Sequence, residues 1–156
     1  MNFSNHKSLF IIIILLLPNL LLSACGSDSD HDDHEETPVG LVLIVDGEDI
    51  ALQAESTVTY VNGNAINVPG AATINITVQF ISEDGDRFSP HTDEGFSLQV
   101  EVGNENIIQV THPINNNQWN LSVTGNNPGS TTITFDLLHA GHSDFTSQPF
   151  QVQVSE

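Results

Sequence analysis

Positive charge is almost missing from this sequence. It holds two Lys or Arg against twenty Asp or Glu in 156 residues, a formal net charge of −18. The two cations are Lys7 and Arg87, and every acidic residue follows Cys25, so the chain beyond that cysteine carries a net −19 with histidine neutral. A surface of this sign repels phosphate backbones and anionic headgroups and attracts cations, which argues against nucleic acid as a partner. A single Arg and no Lys after Cys25 leave no clamp for a phosphoryl group. No nucleophile elbow and no Gly-rich phosphate loop is present. The reading from these absences is a protein that is not an enzyme.

Cysteine occurs once, at position 25, so no disulfide staples the fold. Lys7 supplies a short positive region ahead of an apolar run from Leu9 to Leu17, which Pro18-Asn19 interrupts before Leu20-Leu21-Leu22. A span needs roughly 20 consecutive apolar residues. This run is shorter and broken, as in a cleaved export signal over residues 1–24. Its end, Leu22-Ser23-Ala24-Cys25, resembles the bacterial lipobox. The resemblance implies cleavage before Cys25, a diacylglycerol on its thiol and usually a third acyl chain such as palmitate. Two or three chains anchor stably where one does not. A lipidated thiol is no longer a nucleophile or a metal ligand. Gly26 stands where an Asp commonly retains Gram-negative lipoproteins in the inner membrane, so the resemblance implies the outer membrane.

From Gly26 to Pro38 the chain has no apolar periodicity and is dense in carboxylates. Such a segment buries no core and is read, with Cys25, as a disordered tether over 25–38. His31 and His34 lie in it among Asp32, Asp33, Glu35 and Glu36. That chemistry is either a solvated spacer or a weak secondary site for zinc, copper or nickel.

Residues 39–156 are of ordinary single-domain size. Alternation of period two recurs through them. Ile74, Ile76, Val78 and Phe80 alternate with Asn75, Thr77 and Gln79. Phe96, Leu98, Val100 and Val102 do so with Ser97, Gln99 and Glu101, as do Ile133, Phe135 and Leu137 with Thr134 and Asp136, and Phe150, Val152 and Val154 with Gln151 and Gln153. One wet and one dry face is the mark of an antiparallel sheet packed on one side. Turn signals at Asp46-Gly47, Asn62-Gly63-Asn64, Pro69-Gly70, Asp84-Gly85-Asp86, Gly103-Asn104, Asn115-Asn116-Asn117 and Asn127-Pro128-Gly129 separate the runs. Eight strands follow, over 39–45, 57–61, 72–81, 96–103, 107–111, 118–124, 130–138 and 149–155, and they predict an all-β sandwich.

The stretch from Val100 to Phe135 resembles the second half of a bacterial Ig-like domain of the invasin and intimin type. Asn106-Ile107-Ile108-Gln109-Val110, Trp119-Asn120-Leu121-Ser122-Val123-Thr124-Gly125 and Pro128-Gly129-Ser130-Thr131-Thr132-Ile133-Thr134-Phe135 carry the likeness. It implies an Ig-like antiparallel β-sandwich and says little about function, because that fold hosts many functions.

The segment Leu138-His139-Ala140-Gly141-His142-Ser143-Asp144 lies outside that likeness. A two-residue turn at Ala140-Gly141 would oppose His139 and His142, with Cβ atoms about 4.5–5.5 Å apart. Strict alternation would put Asp144 on the face of His142. Two imidazoles and a carboxylate on one side suit zinc or copper; the competing reading is loop histidines bonded to backbone. Strands alternating in direction place the loops 82–95, 112–117 and 139–148 at one end, together with His91, His112, His139 and His142. The same count sends residue 39 to the opposite end, so the histidines are expected to be membrane-distal, with His91 or His112 completing the site.

Other signals are weaker. Glu83-Asp84-Gly85-Asp86 has calcium-like oxygens but lacks the length of an EF-hand loop. Trp119 shares the phase of Leu121 and Val123 and is read as packing. Two functions remain: a cell-envelope lipoprotein that binds divalent transition metal, zinc or copper, and passes it to an envelope partner, or a structural or adhesive Ig-like module with incidental histidines. Cys25→Ser should abolish acylation and the maturation cut, leaving the chain in the soluble fraction once the signal is removed. Fractionation after labelling with a radioactive fatty acid reads both.

Overall fold

The computed structural model describes residues 36–156. The export signal, Cys25 and the tether histidines His31 and His34 lie outside the described residues. Twelve strands follow in order: β1 (Pro38–Val45), β2 (Glu48–Ala54), β3 (Thr57–Tyr60), β4 (Ile66–Val68), β5 (Thr73–Ser82), β6 (Arg87–Phe88), β7 (Phe96–Val102), β8 (Ile108–Thr111), β9 (Asn120–Gly125), β10 (Gly129–His139), β11 (His142–Thr146) and β12 (Phe150–Val154). A single 3-10 turn, Thr92–Glu94, precedes β7.

The strands form two sheets. One runs β3-β2-β1-β5-β9-β8, with β6 added to β5; the other runs β11-β10-β12-β4, with β7 on the free edge of β10. Stripped of the β2–β3 and β11 additions, the first sheet holds the A, B, E and D strands of an Ig-type sandwich as β1, β5, β9 and β8. The second holds C, F and G as β7, β10 and β12. Within these sheets only β4 and β12 pair in parallel.

The core forms where the two alternating faces meet. Leu41, Leu43, Ile76, Val78, Phe80, Leu121 and Val123 of one sheet lie against Leu98, Ile133, Phe135, Leu137, Phe150 and Val152 of the other, all buried. Phe80 is its hub. Its ring meets Trp119 at 5.8 Å and Phe145 at 5.9 Å, both edge to face, and Phe88 at 6.1 Å. Such pairs add about 0.5–1.5 kcal/mol each beyond the apolar area they bury. Trp119 therefore packs, as its phase predicts.

Two polar fasteners link the sheets. The buried amide of Gln53 on β2 donates to the Glu55 carbonyl at 2.7 Å and accepts from the Gln148 N–H at 2.7 Å, just ahead of β12. Tyr60 of β3 accepts the Gln151 N–H at 2.6 Å. These bonds satisfy backbone donors that the short β4 leaves without a ladder partner.

The structure reverses one expectation. β1 runs antiparallel to β5, with Pro38 opposite Ser82 and Ile44 opposite Thr77. Inserting β2, which the sequence count omits, turns β1 around relative to β5. The described chain thus begins at the same end as the 82–95 loop and the β10–β11 turn, and the C-terminus lies at the other.

Two substitutions test this packing. Phe80→Ala should cost about 3–5 kcal/mol, the range for truncating a fully buried aromatic. Gly40→Ala should destabilise measurably because an added Cβ would collide with the Gln53 carbonyl across the β1–β2 pair. Urea unfolding followed by Trp119 fluorescence measures both.

Candidate functional site

Ala140 and Gly141 make the two-residue turn between β10 and β11, with φ of 49° and 85°. Both positive angles are what a type I′ turn requires, and this turn matches the twist of the strands it joins. His139 and His142 are directly opposed across it. The expected pairing of the two imidazole-bearing residues is therefore present.

Asp144 arrives differently. Leu138 opposes Ser143 but Leu137 opposes Phe145, so Asp144 is the extra residue of a β-bulge. Without the bulge Asp144 would oppose Leu137 on the core face. With it, Phe145 takes that place and reaches Phe80, and the carboxylate is released toward the turn. Its Oδ2 lies 3.6 Å from Nδ1 of His139. Strict alternation, which assigns Asp144 to the face of His142, does not survive the bulge.

The His139 ring also stacks on Phe96 of β7, with centroids 4.2 Å apart and planes 19° from parallel. Phe96 is opposite His139 in the β7–β10 pair, which explains the contact. His139 and Asp144 keep about a third of their side-chain surface, 37% and 35%. They line a cleft of about 320 Å³ with Phe96 and with Glu36, Thr37 and Pro38 at the start of the described chain.

The other two histidines do not join them. His112 is half-buried and donates from Nε2 to the Gln118 carbonyl at 2.7 Å. It lines a separate groove between β7 and β8. His91 is exposed, and its carbonyl caps the 3-10 turn by accepting the Glu94 N–H at 3.2 Å. Among the described residues, no three of His, Cys, Asp and Glu come close enough together to hold a metal ion. The expected separation of the histidines from residue 39 is reversed: Glu36, Thr37 and Pro38 stand beside His139, at the end where the described chain starts.

Sequence reasoning missed Glu36 and Phe96 as neighbours of His139. Only the true direction of β1 reveals the first. The second follows from the register that the alternation of 96–102 and 133–139 left unassigned.

A second polar pair lies away from the cleft. The Arg87 guanidinium of β6 meets the Asp49 carboxylate of β2 with two bonds, 2.9 and 2.7 Å. It spans from one flank of β5 to the far side of β1. The hydrogen bonds from Arg87 lower the Asp49 pKa from its ordinary value, and the same bonds raise that of Arg87. No helix among the described residues is long and apolar enough to cross a membrane.

No family model and no curated protein matches the sequence. Among solved structures, the crystal structure of domains 4 and 5 of the S-layer protein SbsC is similar at a TM-score of 0.43 and 15% identity. The match covers 67% of this chain and 62% of that one, so this chain spans less than two thirds of its length.

The Asp49–Arg87 pair has a defined pH dependence. A carboxylate whose folded pKa is depressed stabilises fully above its unfolded value, about pH 4, and loses that contribution as pH falls through the folded value. Arg87 stays charged throughout. Both side chains are well exposed, at 46% and 38%, so solvent screening keeps the effect to about 0.2–1 kcal/mol. Asp49→Asn should be that much less stable than the parent at pH 7, and the difference should shrink at pH 3, by urea unfolding at the two pH values.

Proposed function

We propose that this chain is a lipid-anchored, non-catalytic β-sandwich module of the bacterial cell envelope, structural or adhesive in role, whose histidines serve the fold first. One observation carries the assignment of the histidines: His139, the centre of the expected site, is already engaged by ring stacking on Phe96 and by the Asp144 carboxylate. His112 is likewise tied to the Gln118 carbonyl. These contacts brace the β10–β11 turn and the 112–117 loop at the end where the described chain starts. The lipobox-like Leu22-Ser23-Ala24-Cys25 and the apolar run before it support the anchoring, and the excess of carboxylates supports an exposed, well-solvated domain. A sandwich that the chain following Cys25 enters at one end suits a spacer that holds that end at a membrane and presents the other.

A second reading keeps a specific observation. His139 and His142 oppose each other across a type I′ turn, with Asp144 beside His139. A rotation of the exposed His142 would add a third donor for zinc or copper. Ligation needs neutral imidazole, so such binding would weaken below roughly pH 6.5.

One titration separates the two. The chain from residue 25 onward, carrying Cys25→Ser, is melted with and without near-millimolar zinc and copper at pH 7.5, alongside His142→Ala and His139→Ala. Under the structural reading the metals leave the melting temperature unchanged. His142→Ala is then neutral, while His139→Ala loses about 0.5–1.5 kcal/mol with its ring contact. A rise in melting temperature that vanishes in both variants would replace it with the metal reading, because a ligand of the native state stabilises by mass action.

A further inference from the structure

β7 is the longest open strand edge of the sandwich. Among the described residues it pairs with β10 alone. The direction of its backbone groups follows from its two ends: Gly103 donates to the Thr132 carbonyl at 2.9 Å, and the Gly95 carbonyl accepts the Ala140 N–H at 3.1 Å. In an antiparallel pair the N–H and C=O of one residue point to the same side, and successive residues alternate. Ser97, Gln99 and Glu101 therefore face β10. Phe96, Leu98, Val100 and Val102 turn their N–H and C=O outward, with no strand beyond them among the described residues.

The side chains of this edge are arranged in two rows. Gln99 and Glu101 are exposed, whereas Val100 and Val102 are half-buried on the core side. The core side is not closed there, because β8, the edge of the facing sheet, is only four residues long. Between the two edges runs a groove of about 490 Å³ with Val100, Val102 and Val110 on its floor and Glu105 and Gln109 along its rim. β7 has none of the usual guards of an edge: no Pro, no Lys and no register shift in its pairing. Glu101 is its single charge.

We infer that the β7 edge accepts one further strand, an extended basic segment of a protein partner in which apolar and cationic side chains alternate. The added strand would complete its hydrogen bonds on Leu98, Val100 and Val102. Its apolar row would fill the groove over Val110, and its cationic row would lie beside Glu101 and Glu105. Main-chain pairing supplies the affinity in this mode and the alternate side chains supply the selectivity. The charge argument sets the occupant. This chain has two cations against twenty carboxylates, and Arg87 is already held by Asp49. A second copy would bring a like-charged surface to the edge, whereas a basic strand neutralises it.

The test is amide hydrogen exchange by NMR on the chain from residue 25 onward with Cys25→Ser, using a synthetic seven-residue peptide of alternating Val and Lys as the probe. Without peptide, Gln99 and Glu101 should exchange slowly, and Leu98, Val100 and Val102 at least tenfold faster. Excess peptide should slow those three amides at least tenfold at 50 mM salt, and 0.5 M salt should remove most of the effect. Val100→Pro deletes one outward N–H without touching the β10 pairing and should abolish the protection. Glu101→Lys, on the exposed row, should weaken it several-fold and stands as the check should the proline variant fold poorly. Failure of the peptide to protect the three amides overturns the proposal. Protection that appears without peptide and grows with protein concentration also overturns it, by making the occupant a second copy.

Discussion

The antiparallel run of β1 between β2 and β5 is the constraint on which the rest of this molecule depends. β1 is paired along both edges, and Leu41 and Leu43 enter the core from it while Val42, on the other face, is also buried. Close approach to β2 requires Gly40, where the Gln53 carbonyl leaves no space for a Cβ. Once β1 is seated, the start of the described chain is fixed beside the β10–β11 turn. The end that holds His139 and Asp144 and the end that receives the rest of the chain are then the same end. His139 and Asp144 line a cleft with Glu36, Thr37 and Pro38, where the described chain enters the sandwich.

No covalent link holds the two sheets together, and the structure compensates with side chains that cross between them. Phe80 and Phe145 interlock from opposite sheets, and Phe150 touches both Phe135 and Tyr60. Gln53 and Tyr60 reach backbone donors near and on β12. Ser147 both donates from its backbone N–H to the Phe135 carbonyl and accepts the Phe135 N–H through Oγ, so the ladder on β10 continues through the gap between β11 and β12. An unpaired buried donor would cost about 1–3 kcal/mol. The small polar residues in this region are therefore as structural as the aromatic ones.

The fold was legible in the sequence wherever inward residues are large and apolar. β5, β7, β10 and β12 announce themselves by alternation, and the turns between them by Gly, Asn and Pro. β2 did not, although Asp46-Gly47 marks the hairpin that leads into it. Its fully buried inward positions are Ala51 and Gln53, while Ile50 and Leu52 are only partly buried, so hydrophobicity marks the wrong row. A buried glutamine is recognisable only once its partners Glu55 and Gln148 are in place. β4 is three residues long and pairs with a strand 86 positions later, a distance at which local pattern carries no information. The omission of β2 was enough to invert the expected position of the chain's start.

The candidate site shows the same limit at the scale of one residue. The opposition of His139 and His142 was readable because Ala140-Gly141 supports a two-residue turn and the period of a hairpin is fixed by its turn. Beyond Ser143 that period fails. Phe145 has an aromatic partner in the facing sheet, and burying it against Phe80 is worth more than keeping Asp144 in phase. Placing Asp144 on the core face would strand a carboxylate among Leu137 and its neighbours, a cost far above that of one unpaired ladder position. The bulge resolves the conflict by discarding the register, and the carboxylate so released lands on His139. The contact between Asp144 and His139 at the turn is thus a consequence of core packing next to it. Its geometry, two imidazoles opposed and one carboxylate set to the side of only the first, is what a displaced residue leaves behind, and it accounts for the position of Asp144 without a ligand.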